Sequence, residues 1–322
     1  MRIIITGGSG FIGTNLVEYY VDKGHIVLNL DKVPPKNHRF SMQWVPCNIN
    51  DYDSLLSNIC NFEPDYIIHL AARTDLEGKS VEDYSANTLG VENILKVAAQ
   101  IKGLRKILIT SSMLVCHTGY IPKDQYDYSP TTAYGESKVI TEKIVWSHKP
   151  KCDWAILRPT SVWGPWFGIP YRNFFDLVKG GLYVHSGHRS CRKTYGYVEN
   201  VVYQIDQILH TPTLDETNKV FYLGDTPAIY IEEWADQIAQ ELGKKVRRVP
   251  FCLMRLAAWV GDFLSVFNMR FPMTSFRLHN MTTDNIVPLD NTVKVAPQTP
   301  VDRITGIKRT LAWMENVSKQ NT

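Results

Sequence analysis

The sequence carries little net charge, because its 35 lysines and arginines nearly balance its 32 aspartates and glutamates. A nucleic-acid-binding protein usually shows a basic stripe, so the net charge of +3 predicts no nucleic-acid partner. The six cysteines are scattered and include no Cys-x-x-Cys pair. This spacing is typical of free thiols in a reducing compartment rather than of disulfides or a zinc site. We therefore predict a cytoplasmic protein without a bound metal.

The sequence also lacks an uninterrupted apolar run long enough to span a membrane. The first apolar run, residues 3–5, breaks straight into glycines and is too short for a signal peptide. The longest run, residues 251–267, is interrupted by Arg255 and Asp262. We predict that it forms a buried helix of a second domain, and the alternative is a helix that lies on a membrane surface.

Shorter apolar segments are present in the first half, and they alternate with helical patterns. Continuous apolar runs predict strands at residues 3–5, 26–30, 65–70, 106–110 and 154–157. Amphipathic spacing predicts helices at residues 11–23, 51–60, 81–101 and 134–146. Continuous apolar strands separated by helices indicate a parallel sheet covered on both faces. The predicted fold class is therefore α/β, a doubly wound parallel sheet of the Rossmann type.

The pattern changes after Pro159. Aromatic residues, glycines and prolines crowd residues 163–183, which we interpret as loops over a pocket, and helices are predicted at 197–210 and 231–243. A strand at residues 220–223 returns to the sheet. We therefore predict a discontinuous organisation. Residues 1–165 and about 193–225 form the dinucleotide-binding domain, and about 166–192 and 226–322 form a smaller substrate-binding domain.

A glycine-rich turn follows the first predicted strand and opens the first predicted helix. Gly7, Gly10 and Gly13 have the spacing that permits a tight turn, a close approach to a pyrophosphate and close helix–strand packing. The N-terminus of the helix, with Phe11 and Ile12, then offers free N–H groups to phosphates. The motif and its position predict a dinucleotide site.

Asp31 ends the second predicted strand, eighteen residues beyond Gly13. A carboxylate at this place hydrogen-bonds the ribose hydroxyls of NAD and repels the 2′-phosphate of NADP. The sequence therefore predicts NAD as the cofactor. A turn-capping role for Asp31 is the alternative.

A tyrosine and a lysine, Tyr134 and Lys138, are four residues apart and share one face of a predicted helix. A nearby ammonium stabilises a phenolate and lowers its pKa, so the phenol can exchange a proton with an alcohol. Ser111 and Ser112 end the strand at residues 106–110, at the sheet edge where ligands bind in such folds. A serine hydroxyl there can orient a substrate oxygen. We predict a site for oxidation and reduction of a secondary alcohol.

Taken together, these motifs resemble the extended short-chain dehydrogenases/reductases, in particular the NAD-dependent sugar-nucleotide epimerases, dehydratases and reductases. The resemblance covers nearly the whole chain and depends on the glycine turn, Asp31 and these segments: 69–72 (HLAA), 87–90 (NTLG), 110–112 (TSS), 134–138 (YGESK), 157–165 (LRPTSVWGP) and 197–201 (YVENV). It implies an enzyme that acts on a nucleotide sugar, in polysaccharide biosynthesis, as a homodimer built from the helices at 81–101 and 134–146.

The resemblance also implies roles for particular residues. Ser112, Tyr134 and Lys138 are implied as the catalytic triad. The cofactor residues implied beyond the glycine turn and Asp31 are Asn48 and Ile49 beside the adenine, Leu70, Ala71 and Ala72 along the ribose and pyrophosphate, Asn87 near the phosphates, Thr110, and Pro159 and Val162 near the nicotinamide. Tyr134 and Lys138 are also counted as cofactor residues, because the lysine can reach the nicotinamide ribose. The substrate residues implied are Ser112, Ser161, Asn173, Arg192 and Lys193.

Several positions depart from the family pattern. The dehydratases carry an Asp-Glu pair directly after the catalytic hydroxyl, where this chain has Met113 and Leu114. Neither side chain can supply the acid and base that elimination of water requires. Ser161 stands where several epimerases have a phosphate-binding asparagine, and Lys193 stands where arginine is usual. A lysine binds phosphate as a point charge, without the fork of arginine.

The sequence leaves three candidate functions to be tested. The first is a sugar-nucleotide 4-epimerase that oxidises a secondary hydroxyl transiently and returns the hydride to the other face. The second is a one-way reductase or dehydrogenase, acting on a keto sugar nucleotide or on a sterol-like alcohol. The third, from another class, is a nucleotide-sensing regulatory protein. Such proteins tend to lose the tyrosine or the lysine, and this chain keeps both Tyr134 and Lys138.

Overall fold

The computed structural model describes residues 1–169, 171–187, 190–212, 214, 217, 219–267, 269, 271 and 273–320. The strands are β1 (Arg2–Thr6), β2 (Ile26–Asp31), β3 (Trp44–Pro46), β4 (Tyr66–His69), β5 (Lys106–Thr110), β6 (Asp153–Pro159), β7 (Ser161–Trp163), β8 (Val184–Ser186), β9 (Arg192–Lys193), β10 (Tyr195–Tyr197), β11 (Val220–Leu223), β12 (Ile229–Tyr230) and β13 (Arg247–Val249). The helices are α1 (Phe11–Asp22), α2 (Tyr52–Phe62), α3 (Ser85–Ala98), α4 (Ala133–His148), α5 (Tyr171–Lys179), α6 (Val198–His210), α7 (Ile231–Glu241), α8 (Phe251–Val266), α9 (Ser275–Thr282), α10 (Asp290–Val295) and α11 (Arg303–Gln320).

A parallel sheet forms the centre of the molecule. In the described part of the chain it has seven strands, in the order β11-β6-β5-β4-β1-β2-β3. Every pair of neighbours in it runs parallel. The chain starts in the middle, moves to one edge and then crosses to the other, which leaves a switch point beside β1. Ligands bind at such a point, beyond the carboxyl ends of the strands. The predicted doubly wound α/β fold is confirmed.

Two apolar layers bury the two faces of this sheet. The β1 residues Ile3 and Ile5 pack with Leu16 of α1 and Val201 of α6 on one face. Ile4 points to the other face, where the core includes side chains of α2, α3 and α4. Alternate residues of one strand are thus buried on opposite sides, which explains why the strands are continuously apolar rather than alternating.

A third core lies outside the sheet, among β7, α5, α7 and α11. Aromatic rings dominate it: Trp163 lies 5.3 Å from Trp234 and 4.8 Å from Tyr197, between ring centroids. Phe175 and Ile238 are fully buried in the same cluster. Most of this core comes from the segments that we predicted to bind substrate, whereas Trp163 and Tyr197 come from those predicted for the dinucleotide-binding domain, and the division into two domains stays a prediction.

Three details differ from the sequence predictions. The helix predicted at residues 81–101 begins as a 3₁₀ turn, Val81–Tyr84, because Ser80 and Asp83 cap each other reciprocally there. Strand β3 was not predicted, since three residues carry too little periodicity. The loops predicted at residues 163–183 include helix α5, whose buried residues Phe175 and Val178 are three apart and face the third core.

The prediction for residues 251–267 is correct for the helix and wrong for its burial. They do form a helix, α8, but it is not buried, because several of its largest apolar side chains face solvent. Burial was predicted from the apolar content alone. That content does not reveal whether the rest of the chain supplies a surface to cover every side of a helix.

Candidate active site

The glycine turn between β1 and α1 has the geometry that a phosphate cradle requires. Gly7 has a φ of +73°, and a Cβ there would lie 2.6 Å from the backbone nitrogen of Ala71. A Cβ on Gly13 would collide with the carbonyl oxygen of Gly7. Gly10 caps α1 and has no side chain to accept a hydrogen bond from the first N–H groups of the helix. The positive end of the helix dipole is therefore open to an anion.

Asp31 lies beside this turn, at the end of β2. One carboxylate oxygen accepts a hydrogen bond from the backbone N–H of Ser9 at 3.1 Å, and the other accepts one from Val33 at 3.1 Å. Each oxygen keeps a free lone pair, because a carboxylate offers about four acceptor positions. Asp31 thus caps the turn, as the alternative prediction has it. Both of its oxygens can still accept a hydrogen bond from a ribose hydroxyl.

The remaining cofactor residues of the sequence prediction lie along the carboxyl edge of the sheet. Leu70, Ala71 and Ala72 leave β4 there, Thr110 ends β5, and Pro159 ends β6. Val162 is buried in β7. Beyond β3, Asn48 is exposed and Ile49 is buried against the sheet. The fold thus places these residues around one edge, and their individual contacts with a cofactor stay predictions.

Buried polar atoms at this edge support a ligand site. Within the described residues, the Thr110 hydroxyl and Nε2 of His69 are buried without a hydrogen-bond partner. Nδ1 of His69 is hydrogen-bonded to the Thr6 hydroxyl at 2.8 Å. Burial, with a smaller contribution from the Lys138 charge, lowers the pKa of His69 to about 3. This imidazole is therefore neutral at physiological pH.

Asn87 is fully buried and braces the site. Its Nδ2 donates to the carbonyl oxygen of Arg73 at 3.0 Å and to the Ser137 hydroxyl at 2.9 Å. Its Oδ1 accepts from the N–H of Arg73 at 2.9 Å. The amide thus links the loop after β4 to α4. Its implied place near the phosphates stays a prediction, and the side chain holds the surrounding backbone.

Ser112 and Tyr134 are brought together by a glycine. Tyr134 is in the first turn of α4, whose N-cap Thr132 accepts a hydrogen bond from the N–H of Gly135 at 3.0 Å. A Cβ on Gly135 would collide with the carbonyl oxygen of Leu114, so only glycine lets α4 approach the turn that Ser112 caps. Both the Ser112 and the Tyr134 side chains are buried.

The protein alone raises the pKa of Tyr134, against our expectation of a lowered value. Burial raises it to about 12, and a hydrogen bond with the Ser112 hydroxyl offsets part of that rise. The ammonium of Lys138 donates to the carbonyl oxygen of Thr110 at 2.9 Å. Burial lowers the pKa of Lys138 to about 8, and the carboxylate of Glu142 opposes this. The Tyr134 phenol therefore keeps its proton at neutral pH unless positive charge comes closer.

A buried ion pair behind the triad was not predicted. Arg158 and Glu142 are paired at 2.7 Å with side chains 1% and 0% exposed. The Ser111 hydroxyl donates to the same carboxylate at 2.5 Å, and Arg158 also donates to the Tyr222 hydroxyl at 2.9 Å. Two features of the sequence could have indicated this pair. Arg158 is part of the LRPTSVWGP segment, and Glu142 lies four residues after Lys138 on the same predicted helix.

On the substrate side, Lys193 is buried, which lowers its pKa. No hydrogen bond recorded for the described residues uses its ammonium. Its neighbour Arg192 is half-exposed and donates twice to the Asp284 carboxylate, at 3.2 Å each. Ser161 is buried, whereas Asn173 is exposed on α5. Their roles in substrate binding stay predictions.

Tyr171, the first residue of α5, was not singled out as a polar group of the site. Burial raises the pKa of its phenol, and a hydrogen bond with the Ser161 hydroxyl opposes that rise. Its charge, if formed, would raise the pKa of Tyr134. In the sequence, Tyr171 stands out only as one of the aromatic residues that crowd residues 163–183. Among the described residues, no three His, Cys, Asp or Glu side chains group as a metal site would.

Comparison with known proteins places this geometry in a family. The sequence model of the "NAD dependent epimerase/dehydratase family" matches residues 3–224, which include the glycine turn, the triad and β11. The chain belongs to that family. Its members are NAD-dependent enzymes, and NAD is the cofactor that the glycine turn, the open end of α1 and Asp31 fit.

Curated relatives within this family span different activities. The chain is 27% identical over 319 residues to a "3 beta-hydroxysteroid dehydrogenase/Delta 5-->4-isomerase" of Mycobacterium tuberculosis, covering 92% of this chain and 83% of the relative. It is 25% identical over 323 residues to the "N-acetyl-alpha-D-glucosaminyl-diphospho-ditrans,octacis-undecaprenol 4-epimerase" of Escherichia coli O157:H7, covering 97% and 95%. These relatives carry different activities, one a dehydrogenase/isomerase and the other a 4-epimerase, and each activity is that of the relative.

Solved structures of epimerases share the whole fold. The UDP-glucose 4-epimerase of Thermotoga maritima, solved with UDP-glucose, has a TM-score of 0.74 at 18% identity and covers 99% of this chain and 100% of its own. The UDP-glucose 4-epimerase of Thermus thermophilus, solved with NAD, has a TM-score of 0.72 at 20% identity and covers 98% and 99%. Both likenesses concern the fold.

Proposed function

We propose that the protein is a sugar-nucleotide 4-epimerase that oxidises a secondary sugar hydroxyl transiently and reduces the resulting ketone from the other face. One observation carries the proposal: Ser112, Tyr134 and Lys138 converge, buried, at the sheet edge beside the glycine turn, while Met113 and Leu114 replace the acid pair of the dehydratases. The site can move a proton and orient an oxygen, and the two positions directly after Ser112 carry neither an acid nor a base.

The chain's own residues have separate roles in the proposed reaction. Bound NAD supplies the acceptor and donor of hydride. The Ser112 hydroxyl orients the substrate oxygen, and the Tyr134 phenol exchanges the proton with that oxygen. Because burial raises the pKa of Tyr134 to about 12, the phenol holds its proton until positive charge stabilises the phenolate. Lys138, one helical turn away, is the cation that the chain offers for this.

Lys193 supports a nucleotide sugar as the substrate. The Lys193 side chain is largely buried, no hydrogen bond of the described residues uses its ammonium, and a cation so placed favours an anionic ligand such as the diphosphate of a nucleotide sugar. Arg192 is held by Asp284 and contributes charge at the rim. Ser161 and Asn173 complete the proposed substrate residues.

The test is product analysis with UDP-, GDP-, CDP- and dTDP-sugars, followed by NMR of the sugar ring. We expect conversion between C4 epimers without added NAD if the cofactor is resident, and no 6-deoxy-4-keto product. Lys193→Met is expected to raise KM far more than it lowers kcat, and Lys193→Arg to restore KM in part. Formation of a 6-deoxy-4-keto sugar would overturn the proposal.

A one-way NAD-dependent dehydrogenase or keto-sugar reductase is the second candidate. Similarity to the hydroxysteroid dehydrogenase over 92% of this chain favours it. The two reactions differ in stoichiometry, because a dehydrogenase accumulates one NADH per turnover and an epimerase accumulates none. Growth of absorbance from reduced nicotinamide with a sterol, and not with nucleotide sugars, would favour the second candidate. Retention of Tyr134 and Lys138 disfavours a nucleotide-sensing regulatory protein.

We also propose a homodimer formed through α3 and α4, in the cytoplasm. Leu89 of α3 is 43% exposed, and Ile140 and Ile144 of α4 are partly exposed. Leu89 and Ile140 offer apolar surface to a second copy, and Ile144 contributes only its exposed part, because it also packs against the core on that face of the sheet. Sedimentation at micromolar concentration is expected to give twice the chain mass, and Ile140→Glu is expected to give monomers. A monomeric wild-type protein would contradict the dimer.

A further inference from the structure

Helix α8 has two contrasting faces. One face packs on the protein: Met254 and Ala258 are buried against Leu278 of α9. Gly261 continues this stripe, and a Cβ there would collide with the carbonyl oxygen of Met273. The spacing of these three residues, four and three apart, keeps them on one side of the helix. The helix is therefore fixed in place by small residues, which allow it to pack closely.

The opposite face of α8 is apolar and exposed. The exposed fractions of its large side chains are 54% for Leu253, 56% for Leu256, 58% for Trp259, 43% for Val260, 66% for Phe263 and 62% for Phe267, the residue that follows α8. At about 100° of rotation per residue, these positions fall on the side away from the buried stripe. The face includes no charged residue, and it extends over roughly 20 Å. Contiguous exposed apolar surface of this kind marks an interaction site.

The surroundings of this face are basic. Residues 244–267 include five basic residues and one acidic residue, and one of the basic residues, Arg248, is paired with Glu232 at 3.0 Å. Lys244, Lys245 and Arg247 are exposed directly before the helix. The Arg255 guanidinium lies 5.3 Å from the centre of the Trp259 ring, at the border of the apolar face. The one acid, Asp262, accepts a hydrogen bond from the N–H of Ser275 at 3.0 Å, so its charge is engaged on the protein side.

We propose that the exposed face of α8 docks on a lipid surface that contains anionic phospholipids. Apolar and aromatic side chains would enter the boundary between headgroups and acyl chains, and the basic residues before the helix would pair with lipid phosphates. A second copy of the chain fits less well, because a symmetric contact would bring two basic segments together. The helices of the described residues are all too short or too polar to cross a membrane. Docking does not depend on the reaction proposed above.

The test is flotation of the full-length protein with vesicles, either phosphatidylcholine alone or phosphatidylcholine mixed with phosphatidylglycerol. We expect binding to the anionic vesicles, weakened by salt, and little binding to phosphatidylcholine alone. Phe263→Glu is expected to lower the vesicle affinity about tenfold to a hundredfold, since it removes one buried aromatic side chain from the lipid. The matched control is Ile26→Glu, a change at an apolar residue that is 56% exposed at the start of β2, which should leave binding unchanged.

A second variant covers the case in which Phe263→Glu fails to fold. Lys245→Gln with Arg247→Gln alters exposed side chains, and it should weaken binding to anionic vesicles and reduce its salt dependence. The proposal is overturned if the wild-type protein does not float with anionic vesicles, or if neither variant changes its binding. It is also overturned if sedimentation shows that Phe263→Glu separates two copies that the wild-type protein joins through this face.

Discussion

The cofactor region and the substrate region hold their polar side chains in place by different means. Around the triad, polar groups are locked in the interior: Arg158 and Glu142 are 1% and 0% exposed. On the substrate side, the corresponding ion pair between Arg192 and Asp284 is 47% and 48% exposed. The first region is therefore rigid before any ligand arrives, while the second keeps its charges accessible to solvent and ligands. A cofactor that all members of the family share requires the rigid region. A substrate that varies between members allows a region whose charges stay accessible.

The sharpest test of the cofactor region is Tyr134→Phe, which removes one hydroxyl and keeps the ring. We expect single-turnover hydride transfer to fall by roughly 10²–10⁴-fold, as for other losses of a general acid–base group. NAD affinity should change little, because the glycine turn and Asp31 are untouched. Ser112→Ala should reduce hydride transfer less, and Lys138→Met should impair both hydride transfer and NAD binding. Near-normal hydride transfer in Tyr134→Phe would contradict the mechanism.

Charge removal from the two ion pairs compares the regions directly. Glu142→Gln leaves the Arg158 charge buried without its partner, and we expect it to lower the free energy of unfolding by about 3–5 kcal/mol. Asp284→Asn in the exposed pair should lower it by less than about 1 kcal/mol. Urea unfolding of both variants checks this. Equal losses would show that the substrate region is as rigidly held as the cofactor region.

These two pairs also show how far the sequence could predict the molecule. The sheet, the glycine turn, Asp31 and the Tyr134–Lys138 pair follow from short contiguous patterns, because backbone geometry alone requires them. Glu142 and Arg158 are sixteen residues apart on different elements, and their pairing depends on how α4 packs on β6. Likewise, the exposure of α8 depends on what the remaining chain leaves uncovered. Long-range packing leaves no local pattern, so these features required the structure.

Acid titration offers a further test within the cofactor region. Burial lowers the pKa of His69 to about 3, below its ordinary 6.5, so between these values the unfolded chain binds a proton that the native protein does not. Stability from this group is complete above pH 6.5 and is lost as the pH falls toward 3. The free energy of unfolding should fall by up to about 1.4 kcal/mol per pH unit in this window. Urea unfolding of cofactor-free His69→Asn should show a slope smaller by one proton, and an unchanged slope would contradict this.

The smallest expected effect concerns cofactor choice. Asp31→Ser removes the charge that would repel a 2′-phosphate, so we expect the preference for NAD over NADP to fall on the order of tenfold. Fluorescence titration of both cofactors measures it. The hydrogen bonds of Asp31 to Ser9 and Val33 are local, so the fold should persist. Tighter binding of NADP than NAD by the wild-type protein would contradict the role of Asp31.

The position of β11 in the sheet affects how the protein folds during its synthesis on the ribosome. Strand β6 pairs with β5 on one side and with β11 on the other, and β11 is synthesised only after β7 to β10, α5 and α6. Until then, the growing chain presents the unpaired backbone groups of β6, Ile156 to Pro159, along one edge. Such an edge is a template for pairing with another chain. A translational pause before residue 220 would therefore prolong a state prone to aggregation, and β11 closes that edge as soon as it emerges.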